Sequence, residues 1–182
     1  MKQFILPSLF LLGAFLGTSC EKVSKFTQFR LSYDTETTIP ATPVPVQTVV
    51  ALNNLLSQPT NTNAEQSFSG NNTGANYIEK ISLETLTISI KTPAGANLNF
   101  LRDMTIFIST ANLPEVKIAE KLNIADGLTS LDLEATGTDI KDYIKADKFT
   151  LRTSVSVDGT TSEETKLNIH TKFLVDAKIL GE

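Results

Sequence analysis

Apolar and polar residues alternate along most of this chain, and the alternation is most regular near its end. Phe149, Leu151, Thr153, Val155 and Val157 hold one parity without a slip, and Leu167, Ile169, Thr171, Phe173, Val175, Ala177 and Ile179 do the same after Asp158-Gly159. Period two marks a strand with one buried face, and Asp-Gly between two such runs predicts a hairpin. Two long strands that are each apolar on one face need a second sheet to cover them. Upstream, residues 26–38 read as a strand through Phe29, Leu31 and Tyr33, ended by Pro40, Pro43 and Pro45, whose PxxP spacing suits a strand-leaving loop better than a docking ligand. Residues 46–56 put Val49, Leu52 and Leu56 on one helical face and predict a short helix, although Val44, Val46 and Val50 also suit an extended edge. Residues 58–76, rich in Asn, Thr, Ser and Gly, read as a surface loop in which Phe68 pins a short strand.

The next strand, residues 77–91, changes its inward phase midway. Ile81 and Leu83 share one parity while Leu86, Ile88 and Ile90 share the other, which predicts a bulge at Glu84 and Thr85. Thr92-Pro93-Ala94-Gly95 and Asp126-Gly127 are turns. Between them run strands through Met104, Ile106 and Ile108 and through Val116 and Ile118, and Leu131 and Leu133 follow the second turn. Phe107 sits on the parity opposite to Ile106 and Ile108, so either something covers that face or an apolar spot is exposed. Residues 139–145 give the best helix, with Asp139 as cap and Ile140, Tyr143 and Ile144 on one face. The sum is an all-β chain: a two-sheet antiparallel, immunoglobulin-like β-sandwich of about seven or eight strands with one short connecting helix.

The N-terminus breaks this pattern. Lys2 precedes the apolar run Phe4 to Leu16, which contains Pro7 and Gly13 and closes on Gly17-Thr18-Ser19-Cys20. This is the layout of a secretory signal, too short and interrupted for a spanning helix. Small residues directly before the chain's single cysteine resemble the lipobox of bacterial lipoproteins. The resemblance implies a diacylglyceryl group on the Cys20 sulfur, cleavage before Cys20 and acylation, as by palmitate, of the new amine. An ordinary signal peptide with an incidental cysteine is the plainer alternative. The organisation implied is a signal peptide over 1–19, a tether over 20–25 and one β-sandwich domain over 26–182. Glu21 stands where an Asp would favour inner-membrane retention in that family, so the resemblance points to the outer membrane, with its periplasmic and surface sides both open.

Removing residues 1–19 leaves 182 − 19 = 163 residues, enough for one domain with its own core. It also removes one basic residue, leaving 15 basic against 20 acidic and a net charge of −5. That balance argues against nucleic acid as a partner, because phosphate neutralisation needs clustered basic charge. With Cys20 carrying lipid, no disulfide is available within the chain.

Catalytic chemistry is thinly supplied. His170 is the sole histidine and its parity places it on the solvent side of a strand, without the second His or Cys that a zinc site needs. Glu163-Glu164 and Asp139 with Asp142 read as solvated charge and a helix start rather than as facing carboxylates. Asn71-Asn72-Thr73 matches a glycosylation triplet by chance in an Asn-rich loop, and Gly70 to Gly74 lacks the strand-loop-helix setting of a phosphate loop. No metal and no cofactor is expected. There is no Trp, and Tyr33 and Tyr143 belong to the core, which leaves Tyr77 and Phe107 as candidate ligand contacts. The phrases NFLRDMTIFIS, NLPEVKIA and DYIKADKFTLR, within residues 78–180, resemble small single-domain β-sandwich lipoproteins of unknown function from Gram-negative bacteria. The expectation is a non-enzymatic structural or protein-interaction module, held to the membrane by lipid on Cys20 and partnered by an envelope protein. A glycan or small-ligand binding lipoprotein, using residues 58–76 with Tyr77, is the alternative.

Overall fold

Period-two alternation dominates the computed structural model, which describes residues 28–41, 50–157 and 163–178, with the backbone alone over 50–59. Its strands are β1 (Gln28–Ile39), β2 (Val50–Asn61), β3 (Ile78–Thr92), β4 (Leu101–Ser109), β5 (Val116–Lys121), β6 (Ser130–Asp132), β7 (Glu134–Ala135), β8 (Lys148–Val157) and β9 (Thr165–Ala177). Two short helices, α1 (Ala64–Gly70) and α2 (Lys141–Lys145), join them. One sheet has the order β1-β9-β3-β6 and the other β2-β8-β4-β5-β7. All pairings are antiparallel, so the expected all-β two-sheet sandwich is observed. Nine strands are described, more than the expected seven or eight, because the pattern of β2 reads as a helix and β7, of 2 residues, is too short to show an alternation.

The connectivity departs from an immunoglobulin order, in which the first strand pairs with the second. Here β1 pairs with β9, β2 with β8, β3 with β6 and β4 with β5. With the two-residue β7 set aside, the pairs nest one inside another, as in a single long ribbon rolled on itself, which is jelly-roll topology. The roll also explains why the hairpin expected of the last two runs does not form. β8 and β9 belong to different sheets. Alternation requires each strand to be covered but is silent on whether its neighbour pairs with it or faces it. The seven residues 158–164 reach about 24 Å when extended, ample for the roughly 10 Å between packed sheets. Asp158 and Gly159 themselves lie outside the described residues.

Three further expectations are corrected. Within residues 46–56, the described part from Val50 onward is strand, not helix. Register shifts between Leu52 and Leu55 and between Leu55 and Gln58 interrupt the pairing of β2 with β8, and such bulges space apolar residues at three and four, imitating a helical face. The loop expected over 58–76 contains the end of β2, α1 and a 3-10 turn, Ala75–Tyr77. Phe68 lies on α1, fully buried and edge-on to Phe29 at 6.2 Å, so a single anchored ring holds a helix of poor propensity. Glu163 and Glu164 precede β9 and are exposed.

The bulge in β3 is where the phase change places it. Leu83 pairs with Phe173 and Thr85 with Lys172, leaving Glu84 as the extra residue. α2 forms with Tyr143 and Ile144 buried, although Ile140 rather than Asp139 holds its N-cap position. Asp139 Oδ1 accepts from the Lys141 N–H (3.1 Å) and from the Ile81 N–H (3.2 Å), while the Ile140 N–H donates to the Ile81 carbonyl (2.8 Å). This short segment therefore satisfies part of the β3 edge that β6 leaves uncovered.

Between the sheets, Tyr33 of β1 meets Phe149 of β8 at 5.3 Å and Phe173 of β9 at 5.9 Å, and the two phenylalanines lie 6.2 Å apart. The Tyr33 hydroxyl donates to the Thr62 carbonyl at 2.8 Å, which ties β1 to the end of β2. The start of β1, both helices and Tyr77 thus share one pole of the sandwich. The opposite pole holds loops 93–100 and 122–129, joined by hydrogen bonds from Leu98 to Leu128 and from Ile124 to Arg102.

Two core hydroxyls, of Thr37 and Thr153, have no hydrogen-bond partner among the described residues. An unpaired buried hydroxyl costs about 1–3 kcal/mol. Replacing Thr153 with Val keeps the shape and removes that cost, so Thr153→Val is expected to raise Tm in a thermal scan by about 2–4 °C per kcal/mol recovered. A lower Tm would show that the hydroxyl has a partner.

Candidate functional site

The polar turn between β2 and α1 shapes a concavity among the described residues. Asn63 adopts a left-handed conformation (φ 46°, ψ 34°), which short polar side chains tolerate and which sends the chain abruptly from strand into helix. Thr62, buried beneath it, donates from Oγ1 to the Ala146 carbonyl at 2.7 Å and receives the Ala64 N–H at 3.3 Å. The turn is thereby fixed to the segment that follows α2.

On one side of this turn a groove of about 470 Å³ runs between β1 and α1, lined by Arg30, Leu31, Ser32 and Tyr33 on the strand wall and by Ser67, Gly70 and Asn71 on the helix wall. On its other side a depression of about 350 Å³ is lined by Glu65, Gln66, Lys145, Asp147 and Lys148. Asn61, Thr62 and Asn63 border both, so the two form one polar trough around the corner. β1 is an edge strand, and four of its consecutive residues form the groove wall. An antiparallel edge points alternate N–H and C=O groups away from its partner strand. Burial pushes the Tyr33 phenol up to about 12, so it stays a protonated donor, already spent on Thr62.

The flanks are ion-paired. Arg30 grips Glu84 through two nitrogens at 2.6–3.0 Å, and the bulge that makes Glu84 the extra residue of β3 carries its carboxylate toward that arginine. The hydrogen bond from Arg30 holds Glu84 below the usual carboxylate range. On the same face the His170 Nδ1 lies 2.6 Å from Asp34 Oδ1, and Glu36 pairs with Lys91. His170 is thus on the solvent side of β9, as its parity implies.

The sequence-derived candidates fall in separate places. Cys20 lies outside the described residues. Tyr77 is exposed on the 3-10 turn, with its carbonyl accepting from the Lys178 N–H at 2.8 Å, and it does not line the trough. Phe107 is on β4, in the other sheet, so the two rings form no common platform. Its outer face is covered: the Arg152 guanidinium sits 4.2 Å above the ring centre and is held there by Glu115, Nη2 to Oε1 at 2.6 Å. Of the two outcomes left open by its parity, cover rather than exposure is observed. Asn71 and Thr73 of the apparent glycosylation triplet have internal roles: the Asn71 amide donates to the Ser67 carbonyl (2.8 Å) and the Thr73 hydroxyl to the Lys178 carbonyl (3.0 Å). Among the described residues no group of three His, Cys, Asp or Glu side chains is placed to hold a metal ion, and no helix is long and apolar enough to cross a membrane.

No family model matches the chain, and no curated protein matches it. Among solved structures, a chain from Desmodium yellow mottle tymovirus aligns over 100% of this chain and 95% of its own length, at 13% identity and a TM-score of 0.28, which is too low to bear on fold or function.

Glu84 and Glu115 are both held low, first by a hydrogen bond from an arginine. A carboxylate whose folded pKa is depressed stabilises the fold above its unfolded pKa, and that contribution is lost as pH falls through the folded value. Arg152→Met keeps Phe107 covered while removing the charge. Urea midpoints taken from about pH 6 to about pH 3, the carboxylate range, are therefore expected to fall less in this variant than in the wild type. An equal fall would show that the Arg152–Glu115 pair contributes nothing to acid sensitivity.

Proposed function

We propose that this is a lipid-anchored cell-envelope protein of the outer membrane, a non-enzymatic interaction module that binds a protein partner. The observation that carries the reading is the groove along β1: an edge strand with unspent backbone groups, faced by a helix of small polar residues. An extended segment of another protein would add to that edge as a further strand, gaining affinity from main-chain hydrogen bonds and selectivity from Arg30, Ser32 and the α1 wall. The Gly17-Thr18-Ser19-Cys20 sequence supports the anchor. A glycan-binding reading is favoured by one feature: the Asn61, Asn63 and Ser32 side chains line the groove with no hydrogen-bond partner among the described residues, and amides, like sugar hydroxyls, both donate and accept. That reading moves the ligand contacts from Tyr77 to the turn.

Gly70→Phe fills the groove without disturbing the fold, because a Cβ at Gly70 meets nothing within 4 Å. In pull-downs from solubilised membranes, the wild type is expected to retain one envelope protein in stoichiometric amount and Gly70→Phe to lose it. Absence of a stoichiometric partner, or equal retention by both, would count against the module. On a glycan panel, retention lost in Asn61→Ala and kept in Tyr77→Ala would favour the second reading.

A further inference from the structure

Tyr77 and Leu122 are the exposed large hydrophobic residues of the described chain, at 43% and 54%. They occupy opposite poles of the sandwich. Tyr77 immediately precedes β3, where Lys80 pairs with Asp176, and Asp176 pairs in turn with Gln28, the first residue of β1. Two strand spacings, about 10 Å, therefore separate Tyr77's end of β3 from the point where the chain enters the fold. Leu122 follows β5 in the loop that bonds to the start of β4, at the far end.

We propose that the pole carrying Tyr77 is a membrane-facing surface, with the phenol ring lying at headgroup level in the bilayer that holds the lipid of Cys20. The inference rests on the reading of Cys20 as lipid-modified. Chain length decides the orientation. From Cys20 to Gln28 is 28 − 20 = 8 residues, which whatever their conformation span at most about 28 Å. β1 climbs from Gln28 to Ile39, about 37 Å at the usual rise per residue. With the Leu122 pole against the bilayer, Gln28 would stand beyond the reach of its own anchor. Lying on the outer face of the β1-β9-β3 sheet would press Arg30–Glu84 and Asp34–His170 against lipid with no apolar area to gain. Setting the Tyr77 pole down keeps Gln28 within reach of Cys20 and leaves those pairs in water.

The chemistry there suits an interface. A tyrosine has an apolar body and a polar tip, the combination enriched where hydrocarbon meets water. Two of the lysines near this end are paired, Lys178 with Glu79 and Lys141 with Asp139, so neutral zwitterionic headgroups are the surface to test.

The chain contains no Trp, so Tyr77→Trp and Leu122→Trp each install a single reporter at an exposed position. Full-length protein purified from membranes would be reconstituted into phosphatidylcholine vesicles with and without headgroup-proximal brominated lipid. The Tyr77→Trp indole is expected to shift to the blue and lose about half its emission to the quencher, as an interfacial ring does, while Leu122→Trp is unchanged. Quenching of Leu122→Trp, or of neither, would overturn the orientation. Adding Cys20→Ser to Tyr77→Trp should abolish the quenching. Wild-type protein that fails to sediment with vesicles would instead remove the anchor, and the inference with it.

Discussion

Two strands, β8 and β9, each buried on every second residue, require one another as cover. Phe149 and Phe173 meet across the sandwich, and Tyr33 closes the cluster from β1. Edge-to-face rings at these separations add to the apolar area they bury. Because β8 and β9 are joined by a crossing rather than a tight turn, each can sit near the middle of its own sheet. β9 lies between β1 and β3, and β8 between β2 and β4. The nested pairing follows: once the last two strands lie in opposite layers, the first two must separate in the same way to flank them.

Placing β1 and β2 at the outer edges of the two layers has a functional consequence. They diverge on the same side of the sandwich, and the turn at Asn63 draws α1 into the gap between them. Thr62 and Phe68 fix that turn from beneath, so the trough is built on a rigid floor although its rim is rich in Asn, Ser and Gly. Its position near the start of β1 keeps it close to the proposed anchor. A partner reaching that edge would itself be in or on the membrane, which fits an envelope protein better than a soluble ligand carrier.

The sequence was most legible where a single period ran uninterrupted. β8 and β9 show it, and in β3 two such runs meet at a phase change at Glu84 that located the bulge. β2 misled for the same reason in reverse, since two bulges within a strand of 12 residues leave no period to read. Layer assignment was illegible because alternation is a local property, whereas the choice between pairing and facing is made across the whole core. At the site, Tyr77, singled out as a candidate ligand contact, is exposed but stands outside the trough, and the trough itself was missed. It is made by Arg30, Asn61 and Asn71, distant in sequence and individually ordinary on a surface. The Arg152 cover over Phe107 likewise joins β8 to β4, and no spacing along the chain announces it. The Asn-, Thr-, Ser- and Gly-rich composition of residues 58–76 did mark this stretch as a candidate ligand loop, which was the available signal.

The proposed lipid on Cys20 is the premise from which location, orientation and partner class all descend, and intact-mass measurement of the protein purified from membranes tests it directly. The expected species is the 163-residue chain beginning at Cys20, heavier by a diacylglyceryl group and an acyl chain, with the added mass confined to the N-terminal peptide. A chain retaining residues 1–19, or one cleaved there and carrying no lipid, would contradict it.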